Sequence, residues 1–241
     1  MTGAPGITLS GHADLAGQRL FGPMEIEIRA GAWTCLLGPS GIGKSTILRL
    51  IAGLETGAVF TGEITAGDGA PLAGRIAYMA QSDLLFPWLD VTDNVLTGAR
   101  LRGEVLDRAR AAEVISEVGL TEHAHKRPRH LSGGMRQRVA LARTLMEDRP
   151  VVLLDEPFSA LDARTRTEMQ ELAARVLAGR TVLLVTHDPA EAARLGAGIY
   201  AMTGSGIETI APPGTAPIRA IDDPAVFACQ NRLLALLREP A

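Results

Sequence analysis

Four residues separate two glycines in Gly38-Pro39-Ser40-Gly41-Ile42-Gly43, and Lys44-Ser45-Thr46 follows at once. That spacing suits phosphate. Bare glycines let backbone N–H groups wrap an anion, Lys44 reaches its β and γ oxygens, and the Ser45 hydroxyl can ligate Mg2+. Downstream, the apolar run VVLLD (151–155) ends in Asp155, followed by Glu156. Asp155 would complete the magnesium shell, and Glu156 next to it could polarise an attacking water as a general base. Between these two stretches stands Ser132-Gly133-Gly134, opening straight into an amphipathic pattern. A capping hydroxyl, bare glycines and a positive helix end make a second anion site. One chain therefore carries two phosphate cradles, far apart in sequence.

The elements that must position these residues can be read from hydrophobic pattern. ITLS and MEIEI open the chain as β structure, with Met24, Ile26 and Ile28 alternating against Glu25 and Glu27. Four later runs, WTCLL (33–37), IAYMA (76–80), VVLLD (151–155) and TVLLVT (181–186), are apolar almost throughout. Such runs predict strands covered on both faces in a parallel sheet. Helical stripes lie between them: Ile47, Leu48, Leu50 and Ile51; Val105, Ala109, Ala112, Ile115 and Val118; Met135, Val139, Ala142, Leu145 and Met146; Met169, Leu172, Ala173 and Val176. Alternating strands and helices predict a three-layer α/β core. The four buried runs end in Gly38, Gln81, Asp155-Glu156 and His187. Ligands of open α/β sheets bind beyond the carboxyl ends of the strands, so these residues predict one crevice. Alone, Gln81 and His187 signal nothing; they gain meaning from that shared edge.

Composition narrows the function classes. At 241 residues and 46% hydrophobic, the chain can bury one large core with an inserted subdomain. A net charge of −3 leaves no polyanion footprint, so nucleic acid is not expected as a direct partner. Two cysteines make no disulfide framework, and Cys35 within TCLLG reads as a small buried hydrophobe. No basic segment followed by an apolar stretch opens the chain, and no apolar run approaches the ~20 residues of a membrane helix. Residues 84–140 contain helical patterns without a buried strand and read as a helical insert, PPGTAP (212–217) reads as a loop, and DDPAVFACQNRLLALL reads as a closing helix.

Taken in order, GPSGIGKST, Gln81, LSGGM (131–135), VVLLDEP, SALD (159–162) and THD (186–188) resemble the ATP-binding subunits of ABC transporters. The resemblance implies a P-loop NTPase core with an N-terminal antiparallel β subdomain and an inserted α-helical subdomain. In that division a single ATPase domain spans 1–241: 1–83 and 141–215 form the core and β subdomain, 84–140 the signature subdomain and 216–241 a C-terminal helix. It further implies an ATP-dependent, head-to-tail homodimer with two ATP molecules between the subunits. Each nucleotide would rest on Gly38, Pro39, Ser40, Gly41, Gly43, Lys44, Ser45 and Thr46 of one chain. Ser132, Gly133 and Gly134 of the other chain would close over it, and Asp162 would cross the interface. Glu156 would activate water, His187 would sense the γ-phosphate, and Lys44 and Gln81 would complete the catalytic set. Ser45, Gln81 and Asp155 would hold Mg2+.

Implied partners are transmembrane permease subunits, docked on the helical insert, and a periplasmic solute-binding protein of the same system. The implied place is the cytoplasmic face of the inner membrane, as a peripheral subunit. Pro87-Trp88 in LLFPWLDVTDNV and Met135 after LSGG resemble the importer branch for nitrate, taurine, alkanesulfonates and thiamine-pyrimidine precursors. An efflux or lipoprotein-release subunit is the alternative reading. Where the family stacks an aromatic residue on adenine, this chain has Leu15, with Phe21 or His12 as possible substitutes. The stretch after His187 is short for a regulatory barrel, so no effector-binding domain is expected on this chain.

Overall fold

The computed structural model describes residues 3–238; the outermost positions of the expected domain span, 1–2 and 239–241, lie outside the described residues. In chain order the elements are β1 (Ile7–Leu15), β2 (Gln18–Ile28), β3 (Trp33–Leu37), α1 (Lys44–Ile51), β4 (Ala58–Ala66), β5 (Ile76–Met79), α2 (Val91–Val95), α3 (Thr97–Leu101), α4 (Arg108–Glu117), α5 (Gly133–Met146), β6 (Val151–Asp155), α6 (Ala163–Val176), β7 (Thr181–Thr186), α7 (Pro189–Leu195), β8 (Gly198–Thr203), β9 (Gly206–Ile210) and α8 (Pro224–Leu237). Contacts divide the chain into two compact units. The first comprises residues 1–76, 150–156 and 178–241; the second comprises 77–149 and 157–177. The second unit is wider than the 84–140 insert expected from pattern, because α6 packs with α5 although β6 lies between them in sequence.

In the first unit, β1 pairs antiparallel with β2 and β4. The expected alternation holds on β2, where Ile26 and Ile28 are fully buried and Glu25 and Glu27 face solvent. β4 was not anticipated. Phe60, Ile64 and Ala66 are less exposed than Thr61, Glu63 and Thr65, but exposed Val59 and Gly62 blur this alternation, and nine consecutive pairings with β1 set the strand's place. Gly11 and Gly62 face each other across that pair, and a Cβ on either would run into the other strand's backbone.

The larger sheet runs β5-β6-β7-β3-β8-β9. β3, β6 and β7 are buried at every position, which accounts for their unbroken apolar runs. β3 is parallel to β7 and β8, β6 is parallel to β7, and β9 returns antiparallel to β8. α1 packs on β6 and β7, while α7 packs on β3 and β7. Cys35 is fully buried on β3, and burial pushes its thiol far up from its ordinary pKa. Register levels the strand ends: Leu37 is opposite Thr186, and Asp155 is opposite Val185.

In the second unit, α5 is the central helix and packs against α2, α4 and α6. Side-chain caps start four helices: Asp90 accepts from Asp93 N–H, Asp107 from Arg110, Ser132 from Met135 and Asp162 from Thr165. The Asp107 cap corrects one expected stripe. α4 begins at Arg108, Val105 stands 95% exposed before it, and the buried face is Ala111, Val114, Ile115 and Val118.

Candidate active site

The phosphate loop leaves β3 at Leu37 and enters α1 at Lys44. Gly43 occupies the cap position at φ 105 and Gly41 sits at φ 83, conformations that side chains resist. A Cβ on Gly38 would come within 2.9 Å of Met202 O on β8, so packing also demands glycine there. No side chain caps α1, so its first-turn N–H groups are left for an anion.

Lys44 is 4% exposed, and its ammonium donates to Gly38 O at 2.7 Å and Pro39 O at 2.8 Å. Burial lowers its pKa, while the carboxylates of Glu156 and Asp155 oppose that shift. Glu156 Oε1 is 3.9 Å from Lys44 Nζ, and Glu156 Oε2 is 2.9 Å from His187 Nδ1. The Ser45 hydroxyl donates to Asp155 Oδ1 at 2.9 Å. One sheet edge thus brings together the cation, a hydroxyl–carboxylate pair, a second carboxylate and the imidazole.

Two local devices aim these groups. Glu156 adopts φ 45, and its N–H donates to Val185 O at 2.9 Å, so the chain turns sharply where β6 ends. Behind His187, the Thr186 hydroxyl donates to buried Glu191 Oε2 at 2.6 Å and accepts from Asp188 N–H at 3.0 Å. Pattern reading missed Glu191. Its signal would have been an acidic residue at an otherwise apolar helix position behind the strand.

The remaining expected site residues lie in the second unit. Gln81 is exposed just past β5. Ser132 and Gly133 are exposed at the start of α5, and Asp162 caps α6. Of the residues considered for the base, Phe21 is 5% exposed and packs about 3.1 Å from where a Gly43 Cβ would stand. His12 pairs with Asp14 at 3.8 Å. Leu15 is 43% exposed beside a left-handed turn formed by Ala16 (φ 51) and Gly17 (φ 78).

Sequence comparison decides the family, because the ABC transporter pattern matches residues 21–159, more than half of the chain. The chain belongs to the ABC transporter family. Among the relatives of this ABC subunit, an uncharacterized ABC transporter ATP-binding protein of Haemophilus influenzae is 42% identical, covering 90% of this chain and 92% of that protein. An aliphatic sulfonates import ATP-binding protein of Rhodococcus jostii is 48% identical over 76% of this chain and 73% of its own length. A thiamine import ATP-binding protein of Mesorhizobium japonicum is 42% identical over 81% and 83% respectively. The importer-branch resemblance agrees with these relatives. A chain from a solved ABC transporter in an inward-facing conformation shares the fold, with TM-score 0.73, 24% identity and coverage of 86% and 83%. This ABC subunit is an ATPase of the nucleotide-binding kind, and among the described residues no helix is long and apolar enough to cross a membrane.

Proposed function

We propose that this chain powers an ABC importer, hydrolysing ATP in a head-to-tail homodimer on the cytoplasmic face of the membrane. The observation that carries the reading is the gathering of Lys44, the Ser45–Asp155 pair and the Glu156–His187 pair at one sheet edge, with the signature turn and Asp162 held on another unit. In each composite site the α1 amides and Lys44 hold the β- and γ-phosphates. Ser132, Gly133 and Gly134 of the second copy cover them, and its Asp162 closes the interface.

Glu156 takes the proton from water as the water oxygen bonds the γ-phosphorus. The bond from that phosphorus to the bridging oxygen breaks, and ADP leaves. His187 holds Glu156 through Nδ1 and faces the γ-phosphate. The oxygens of Ser45 and Asp155, already 2.9 Å apart, fit a hard cation. Mg2+ held there would neutralise phosphate charge.

The permease would dock on the second unit, where Leu84 and Trp88 are 61% and 65% exposed. Side chains from two helices brace their loop. Buried Asn94 donates to Phe86, Leu89 and Asp90 carbonyls and accepts from Phe86 N–H, while Arg143 holds the carbonyls of Asp83 and Leu84. Import follows the named relatives, which handle sulfonates and thiamine; a periplasmic solute-binding protein would deliver the solute. Reconstituting the chain with a candidate permease and solute-binding protein should give ATPase activity stimulated by one candidate solute, by roughly threefold or more. Hydrolysis indifferent to permease and solute alike would sink the importer reading.

A further inference from the structure

We propose that Thr165 is a positioning residue that fixes Asp162 to the Ser132-Gly133-Gly134 turn, so that both motifs reach the partner's nucleotide as one piece. The inference rests on the head-to-tail reading above. Thr165 stands in the first turn of α6, and its N–H donates to Asp162 Oδ1 at 3.1 Å. The Thr165 side chain, with this N–H second, holds the Asp162 carboxyl below the ordinary carboxylate range. The Thr165 methyl, on the other branch of Cβ, fills the space in which a Gly134 Cβ would stand.

One rotor therefore serves two motifs. A β-branched side chain has few χ1 settings, and turning Thr165 to relieve one contact breaks the other. The surroundings resist compensation. Arg138 of α5 reaches Glu168 of α6 at 3.5 Å, and Arg164 braces Glu168 at 3.0 Å. Arg166 donates to Leu161 O at 2.9 Å and Phe158 O at 3.3 Å, holding the turn that delivers Asp162. Gly134 is thus bare for a reason internal to the chain as well as for approach to phosphate.

The test is a double-mutant cycle on the purified chain, reading kcat, KM, ATP binding by the monomer and melting temperature. Gly134→Ala should lower kcat about fiftyfold, and adding Thr165→Ser, which removes the methyl and keeps the hydroxyl, should recover about tenfold. Thr165→Val, which loses the hydroxyl, should lower kcat about tenfold with monomer ATP affinity and melting temperature unchanged, while Thr165→Ser alone stays within about twofold of wild type. The inference is overturned if the double variant is no better than Gly134→Ala, or if Thr165→Val turns over like wild type. A Ser132→Arg chain measured alongside separates the two levels. If it is inactive while the Thr165 variants behave like wild type, only the inference fails. If it hydrolyses ATP normally, the head-to-tail reading fails and takes the inference with it.

Discussion

The phosphate loop and the signature turn are both glycine-rich helix starts, yet they are completed in opposite ways. α1 has no side-chain cap, and around its start the first unit gathers a buried lysine, two carboxylates and an imidazole. α5 is already capped, because Ser132 Oγ accepts from Met135 N–H at 3.3 Å. Its neighbouring Arg136 is turned away onto Leu131 O and Asp83. The first turn therefore stands beside two carboxylates and a hydroxyl that suit a base and a cation; the second offers hydrogen-bond donors without a carboxylate base of this kind. On the proposed reading, chemistry resides in one cradle and completion in the other.

The largest effect should come from the base. Glu156→Gln keeps the shape beside His187 and Lys44 but cannot accept a proton, so kcat should fall about 10²–10⁴-fold. ATP binding should persist, and ATP should trap a dimer visible by size-exclusion chromatography. Hydrolysis at the wild-type rate would move the base away from Glu156.

The contrast between the cradles sharpens further in a mixing experiment. Lys44→Ala and Ser132→Arg chains should each be inactive, and Ser132→Arg should still bind ATP through Lys44. Mixed, they can form a dimer in which one site joins an intact Lys44 to an intact Ser132. About a quarter of the wild-type rate should return if subunits assort at random. A mixture as silent as its components would break the claim that the two cradles meet from different chains.

How legible this was in sequence depended on burial. WTCLL, VVLLD and TVLLVT stand out because every position of β3, β6 and β7 is buried, and their ends carry Gly38, Asp155-Glu156 and His187. β4 and β9 escaped notice, since Val59 and Gly62 blur the alternation of β4 and β9 is short and mostly exposed, so that pairing with β1 and β8 marks them more clearly than pattern does. The start of α4 was misplaced because Val105 continues an apolar rhythm although Asp107 caps the helix after it. Thr165 and Glu191 were hidden for another reason. Their types are ordinary at helix positions, and only the fold shows Thr165 against Gly134 and Glu191 under Thr186.

The smallest effect concerns the base end of the first cradle. Phe21 is enclosed beneath Gly43 and His12 is tied to Asp14, which leaves Leu15 as the exposed candidate at the base position. An aliphatic side chain buries apolar surface without a ring to stack, so it separates adenine from guanine poorly. ATP and GTP should bind the wild-type chain within about threefold of each other, and Leu15→Tyr should tighten ATP about five- to tenfold, the lower part of the stacking range. Equilibrium titration with both nucleotides reads this directly. If Leu15→Tyr changes neither affinity, the base lies away from the β1–β2 turn, and the first cradle recognises little more than the phosphates that the second cradle covers.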